Sequence, residues 1–219
     1  RVLFRSLVSG VGFFVALYAI GYMAGDDERR MPRFWAALAA FMGAMLGIAL
    51  SDDMLLLFLF WEITSLSSFL LIGHHDDEPE ARAGALLALQ VTALGGLVLA
   101  VGVLLVAQVT GTFSMSGIGG DPARVRTLLE SPLAPVALGC ILVGVFTKSA
   151  QFPFHFWLPR AMVAPTPVSA YLHAATMVKA GPFLLGRMLP VFGRLPMWTP
   201  VLATVGLVTM LLGAWKAFR

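Results

Sequence analysis

Cysteine and charged residues are scarce in this chain of 219 residues. Its only cysteine, Cys140, cannot form an intrachain disulfide, and no spacing of cysteines and histidines typical of a metal site is present. Charged residues make up 12% of the chain, whereas soluble domains carry about a quarter. The net charge is only +3 and the basic residues are scattered, so we expect no nucleic-acid partner, no metal and no cofactor.

Apolar residues, at 58% of the chain, form long blocks close to the ~20 residues that cross a bilayer. We therefore predict an all-α, polytopic membrane protein in which residues 1–219 form one transmembrane domain. The chain begins with Arg1 rather than methionine, and we expect a fragment of a longer protein. The pattern predicts seven helices, the fifth broken near 151–153: 6–24, 34–50, 54–73, 83–107, 133–162, 168–189 and 198–215.

Two connections carry polar residues that allow more than one interpretation. Residues 51–53, Ser-Asp-Asp, either cap the third helix or form an acidic mouth that collects cations. The pair His74 and His75 begins a charged run that either binds a metal or forms a solvated loop. Adjacent histidines on a helix do not readily converge on one ion, and no further ligand follows four residues later, so the loop is favoured.

Glu62 alone, of the twelve acidic residues, lies well inside an apolar segment. Hydroxyl side chains follow it at positions 64, 65, 67 and 68 and are suited to hold a chain of water molecules. The alternative is a neutral carboxyl group that is hydrogen-bonded locally. Ionisable residues inside membranes usually serve a function, which favours a functional role for Glu62.

Lys148 is a second buried charge, and a helix break follows it. A charge at the membrane centre costs about 2.5–3.5 kcal/mol even on the mildest scale, so the lysine is expected to face a cavity or a partner. Pro153 and Pro159 lie where its helix would otherwise continue. A broken helix beside a buried cation is typical of ion transport.

Glu62 and Lys148 are natural partners for each other. At about 4 Å and an effective dielectric constant near 20, they would attract by about 4 kcal/mol. Movement of the carboxylate would then favour release of the lysine's proton, as a pump or antiporter requires. The alternative is an ion pair that only joins two helices.

His173 and Lys179 lie on the predicted sixth helix, six residues apart, and so project about 120° from each other. Both could border one polar channel, and histidine is suited to pass protons between its two nitrogens. His155, beside the break, is either a relay or an interfacial anchor.

Three segments resemble the proton-translocating antiporter-like subunits: FWEITSLSSFLLIG, KSAQFPFHFWLP and APTPVSAYLHAATMVKAG. This family includes the large subunits of Mrp-type sodium/proton antiporters and the membrane-arm subunits of respiratory complex I. The segments are most similar to the Mrp A subunit, and the presence of Lys179 is also consistent with the Mrp type. The resemblance implies that Glu62 pairs with Lys148, and that His173 and Lys179 continue a proton-transfer axis.

The resemblance also implies the fold and the activity. The family core has two inverted five-helix repeats. This chain would supply the first repeat, and with it one half-channel. We expect a subunit of a multisubunit Na⁺/proton antiporter, a multi-pass protein of the cell membrane without enzymatic chemistry, whose partners are other subunits, protons, Na⁺ and lipid. The alternatives are a proton-pumping subunit of a complex I-like oxidoreductase or membrane-bound hydrogenase, and a scaffold whose ion pairs hold helices together.

Overall fold

The computed structural model describes residues 2–218; Arg1 and Arg219 lie outside the described residues. The described chain is all-α, as predicted, and its one isolated β-bridge joins Asp53 to Ser114. The helices are α1 Val2–Tyr22, α2 Met31–Leu50, α3 Met54–Ile72, α4 Pro79–Thr110, α5 Met115–Gly119, α6 Pro122–Glu130, α7 Ala134–Lys148, α8 Trp157–Ala161, α9 Thr166–Ser169, α10 Ala180–Phe192 and α11 Trp198–Ala217.

Five helices within residues 2–218 are long and apolar enough to cross a membrane: α1, α2, α3, α4 and α11. A sixth candidate is the pair α6 and α7, which is bent by 96°. The sequence predicts seven spans with the fifth broken, and length and composition alone select five or six candidates in this part of the chain. Helix α7 ends after 15 residues, or about 22 Å, short of the hydrocarbon thickness of about 30 Å.

The predicted sixth span, 168–189, is divided into four segments. After α9 the chain forms a π-helix over Ala170–Thr176 and a 3₁₀ turn over Met177–Lys179 before α10 begins.

The fourth span, predicted over 83–107, runs further at both ends. Pro79 fits its first turn because the missing N–H needs no partner there, and Gly111 ends it with a φ of 71°.

Helix α4 lies at the centre of the packing, between α3 and α7. Small residues let the backbones of α4 and α7 approach closely. A Cβ added to Gly144 would lie 2.6 Å from Leu99 Cβ, and one added to Gly102 would lie 2.8 Å from the Ala137 oxygen. This close contact fixes the end of α7, and with it Lys148, against the middle of the bundle.

The 51–53 connection contains both a cap and a cross-link. Asp53 caps α3 by accepting hydrogen bonds from the amides of Leu55 and Leu56, which confirms the capping interpretation for that residue. Asp52 instead accepts hydrogen bonds from the Ser116 hydroxyl at 2.6 Å and from Arg187 at 3.2 Å. It therefore ties the start of α3 to α5 and α10.

Candidate functional site

Lys148 is completely buried at the end of α7. Its Nζ donates hydrogen bonds to the Trp61 backbone oxygen at 2.8 Å and to Ser65 Oγ at 2.7 Å. It also lies 5.2 Å from the centroid of the Trp61 ring, within range of a cation–π interaction. Neutral acceptors and an aromatic face of α3 thus surround the ammonium group.

Glu62 lies on α3 between these two contacts in sequence, yet it makes no ion pair with Lys148. Among the ion pairs of residues 2–218 within 4.0 Å, none joins these two side chains. Glu62 Oε1 is buried and has no hydrogen-bond partner in the described chain. The lysine attracts the carboxylate electrostatically across the gap. The two predicted partners are therefore neighbours, but the direct contact expected from the sequence is not formed.

Two adjacent glycines of α4 make room for the side chains on either side. A Cβ on Gly96 would overlap Glu62 Oε1, and a Cβ on Gly95 would overlap Thr147 Oγ1. The backbone of α4 therefore separates Glu62 on α3 from the residue that precedes Lys148 on α7. Sequence reasoning missed this role, although paired glycines in the middle of a membrane span were its visible signal.

The helix break lies where the sequence predicted it. Ala150 has a φ of 49°, which ends the helical path, and the Gln151 amide donates to the Phe146 oxygen at 2.9 Å. Trp157 then folds back from α8, and its indole N–H donates to the Thr147 oxygen at 2.8 Å. The Thr147 oxygen otherwise accepts a longer bond, from the Ala150 amide at 3.4 Å, so the tryptophan supplies a closer partner.

His173 is buried on the π-helix, and its ring centroid lies 6.2 Å from that of Trp157. Neither ring nitrogen has a hydrogen-bond partner in the described part of the chain. Trp157 thus contacts both Thr147, next to Lys148, and His173. π-helical segments often occur at functional sites because they shift side chains from regular helical positions.

The remaining predicted residues lie apart from this buried cluster. Lys179 is exposed at the end of the 3₁₀ turn. His155 is partly buried in the break, and its ring is stacked on Phe152 with centroids 6.2 Å apart. The structure therefore brings Glu62, Lys148 and, through Trp157, His173 into one region, and leaves Lys179 at the surface.

The hydroxyl side chains after Glu62 bond mostly to their own helix. Thr64 donates to the Trp61 oxygen at 2.6 Å, Ser67 to the Ile63 oxygen at 2.6 Å and Ser68 to the Ser65 oxygen at 2.8 Å. Such local bonds satisfy a hydroxyl without any water. Among these hydroxyls only Ser65 contacts a charged group in the described chain.

A second polar cluster, the Asp26 cluster, consists of Asp26, His74 and His75. His74 is fully buried, so the prediction of a solvated loop was wrong for this residue. Its Nε2 lies 2.7 Å from Asp26 Oδ2, and His75 Nε2 lies 3.3 Å from the same oxygen. The histidines converge because they lie in a bend between α3 and α4 rather than on a helix.

Burial and hydrogen bonding oppose each other in the Asp26 cluster, which lies outside the spanning helices. Burial alone would raise the pKa of Asp26, but the hydrogen bond with His74 and the adjacent backbone amide outweigh it, and the pKa lies below its ordinary value. Burial lowers the pKa of His74, and the contact with Asp26 offsets this only in part. Both effects favour a carboxylate at Asp26 beside a neutral imidazole at His74.

Two family models match the sequence. The model described as NADH:quinone oxidoreductase/Mrp antiporter, transmembrane region, matches residues 51–219. The model described as NADH-ubiquinone oxidoreductase (complex I), chain 5 N-terminus, matches residues 2–35.

Individual relatives match along nearly the whole chain. The A/B subunit of a probable K⁺/H⁺ antiporter from Rhizobium meliloti is 49% identical over 98% of this chain and 21% of its own length. The A1 subunit of an Na⁺/H⁺ antiporter from Staphylococcus aureus is 45% identical over 100% of this chain and 27% of its own length. A chain of the Mrp complex from a Dietzia species superposes with a TM-score of 0.81 at 39% identity, over 96% of this chain and 23% of that one. The chain thus spans about a fifth to a quarter of the length of these relatives.

Proposed function

The chain belongs to the family of transmembrane subunits shared by NADH:quinone oxidoreductases and Mrp antiporters, and we propose that it is part of the A subunit of an Mrp-type cation/proton antiporter. In this proposal the protein works in the cell membrane with the other subunits of the complex. It moves protons, in exchange for a cation such as Na⁺, and performs no chemistry on a small-molecule substrate. The similarity to cation/proton antiporters of Rhizobium meliloti and Staphylococcus aureus favours this over a role in an oxidoreductase.

The observation that carries the proposal is the state of Lys148. Removing an ammonium group from water costs several kcal/mol, and the two hydrogen bonds from Nζ offset about 1.5–3 kcal/mol each. Since no carboxylate touches Nζ within the described chain, the balance between charged and neutral lysine depends on more distant charges. The nearby Glu62 supplies such a charge, and its protonation would therefore alter proton binding at Lys148.

We propose that protons pass from Lys148 to His173 and then to Lys179. Trp157 spans the distance between the end of α7 and His173, whose two ring nitrogens are free to exchange protons with water. Lys179 is exposed, which suits a residue that passes protons on to another part of the full-length protein. Glu62, Lys148, His173 and Lys179 are thus the proposed proton-transfer residues.

Transport by the full-length protein in its complex tests the proposal. Everted vesicles with a pH-sensitive dye would report antiport for Glu62→Gln, Lys148→Met and a control, Ser67→Ala, whose hydroxyl bonds only to its own helix. We expect the first two variants to assemble and to lose antiport, with the control unchanged. Normal antiport in both charge variants would exclude the proton-transfer role. Antiport that requires a quinone or NADH would favour the oxidoreductase alternative.

A further inference from the structure

The Asp26 cluster joins two connections of the chain that are far apart in sequence. Asp26 follows α1, whereas His74 and His75 follow α3. The donor atoms of the three side chains all lie within 4.8 Å of one another. Two imidazole nitrogens and one carboxylate oxygen form a donor set that binds zinc and similar divalent transition metals.

We infer that Asp26, His74 and His75 form a binding site for a divalent transition metal of the Zn²⁺ class. Tetrahedral zinc with bonds of about 2.0–2.1 Å holds its donor atoms about 3.3 Å apart. His75 Nε2 already lies 3.3 Å from Asp26 Oδ2. His74 Nε2, at 2.7 Å from the same oxygen, needs to withdraw by roughly 0.6 Å.

The groups around the three donors hold them in place. The Asp27 amide donates to Asp26 Oδ1 at 2.7 Å, which leaves Oδ2 directed at the histidines. The ring of His74 packs edge-on against Phe34 with centroids 5.3 Å apart. Such positioning by neighbouring groups is what metal-binding side chains require.

The local charge balance permits a cation. Arg33 is a positive charge close to the cluster, since it donates to the His74 backbone oxygen at 2.9 Å. Its guanidinium also pairs with Asp76 at 2.7 Å, and Arg30 pairs with Asp77 at 2.8 Å, so both arginines are compensated. The His75 side chain is 38% exposed, which gives an entry path and a fourth position for water.

A metal here would link the connection after α1 to the connection after α3, the helix that carries Glu62. The site lies outside the proton-transfer residues and does not depend on the proposed function. It is therefore expected to bind metal whether or not the complex is transporting.

Zinc content of the intact complex tests the site. The purified full-length complex would be stripped with a chelator, exposed to Zn²⁺, separated from free metal and analysed by elemental mass spectrometry. We compare the wild type with His75→Gln and Asp26→Asn, which keep side-chain size, and with His155→Gln as a histidine control outside the cluster. We expect each cluster variant to retain one zinc fewer per copy of this chain, and the control to retain the wild-type amount.

A Co²⁺ titration provides a second measurement that does not depend on transport. Wild type and control should show the visible absorption of tetrahedral Co²⁺ that the cluster variants lack or show only at about tenfold or more higher Co²⁺. Equal zinc content and equal Co²⁺ absorption in wild type and both cluster variants would overturn the site. If Asp26→Asn does not assemble, His75→Gln alone decides, because that side chain is partly exposed.

Discussion

Lys148 Nζ lies 2.7 Å from Ser65 Oγ, so that the buried ammonium of α7 is bound to a hydroxyl of α3. Ser65 Oγ lies 3.3 Å from the Trp61 oxygen, to which it donates, and that oxygen is the second acceptor for Lys148. Lysine, hydroxyl and carbonyl thus form a closed set of hydrogen bonds. Glu62, the expected partner of the lysine, lies outside this set.

Ser65→Ala removes one of the two acceptors of the buried ammonium group. A hydrogen bond to a charged group contributes about 1.5–3 kcal/mol, so the charged form of Lys148 should be disfavoured by about that amount. We expect slower antiport by the full-length complex and an altered dependence on pH, measured with a pH dye in everted vesicles. Ser67→Ala removes a hydroxyl of the same helix that bonds only to its own helix. Equal pH profiles for the two variants would contradict the role of Ser65.

Trp157→Phe keeps an aromatic ring in the break and removes only the indole N–H. The buried Thr147 oxygen would lose its 2.8 Å hydrogen bond and keep the longer 3.4 Å bond from the Ala150 amide, at a cost of about 1–3 kcal/mol. We expect a lower thermal unfolding temperature of the complex and slower antiport, because the end of α7 loses a contact that positions it. Thermal unfolding followed by gel filtration measures the first effect.

Trp35→Phe is the matched control for the tryptophan change. Trp35 packs edge-on against Phe34 on α2, away from the break. If both variants lower the unfolding temperature equally and leave antiport unchanged, the indole N–H of Trp157 has no special importance.

The buried charges were predictable from the sequence because few other ionisable residues occur in the long apolar segments. Glu62 and Lys148 could be identified this way, and Pro153 located the break. The division of the predicted sixth span into π and 3₁₀ segments was not predictable. Those segments contain no internal proline or glycine over Ala170–Lys179 to mark the change, which depends on packing against α1 and α9.

Contacts between distant parts of the chain were also beyond the sequence. Asp26 lies 48 residues from His74, and only the folded connections bring their side chains together. The sequence favoured a solvated loop over a metal site because no further ligand follows the two histidines nearby in the chain, whereas Asp26 comes from the preceding connection. Lys148 and Ser65, 83 residues apart, are a similar case. Composition indicated that each buried charge needed a partner, but it did not indicate which atom would be that partner.

Arg187→Lys should weaken the anchor between α10 and α3. The guanidinium uses one nitrogen to donate to the Ser51 oxygen and another to donate to Asp52 at 3.2 Å. Lysine cannot reproduce this two-nitrogen geometry. We expect a destabilisation of about 1–3 kcal/mol because the Arg187 side chain is only 8% exposed. Thermal unfolding of the complex measures this destabilisation, and Arg194→Lys is the control. An unchanged unfolding temperature in Arg187→Lys would show that the anchor contributes nothing.

Gly96→Ala should separate the effect on Glu62 from any effect on helix stability. Alanine in place of glycine inside a helix normally stabilises it by about 1 kcal/mol. At Gly96, however, the new methyl group would occupy the position of Glu62 Oε1 and displace the carboxyl group. Glu62 Oε1 ends a flexible, partly buried side chain, so the carboxyl group is expected to move aside. We therefore expect an assembled complex with reduced antiport, measured in everted vesicles.

Gly139→Ala provides the comparison, because a Cβ there meets nothing within 4 Å. It adds the same methyl group to α7, next to Cys140, at a distance from the charged residues in sequence. We expect full antiport and an equal or higher unfolding temperature for this variant. If Gly96→Ala behaves in the same way, the position of the Glu62 carboxyl group against α4 is not required for transport. A loss confined to Gly96→Ala would instead show that the carboxyl group must lie against α4 to act on Lys148.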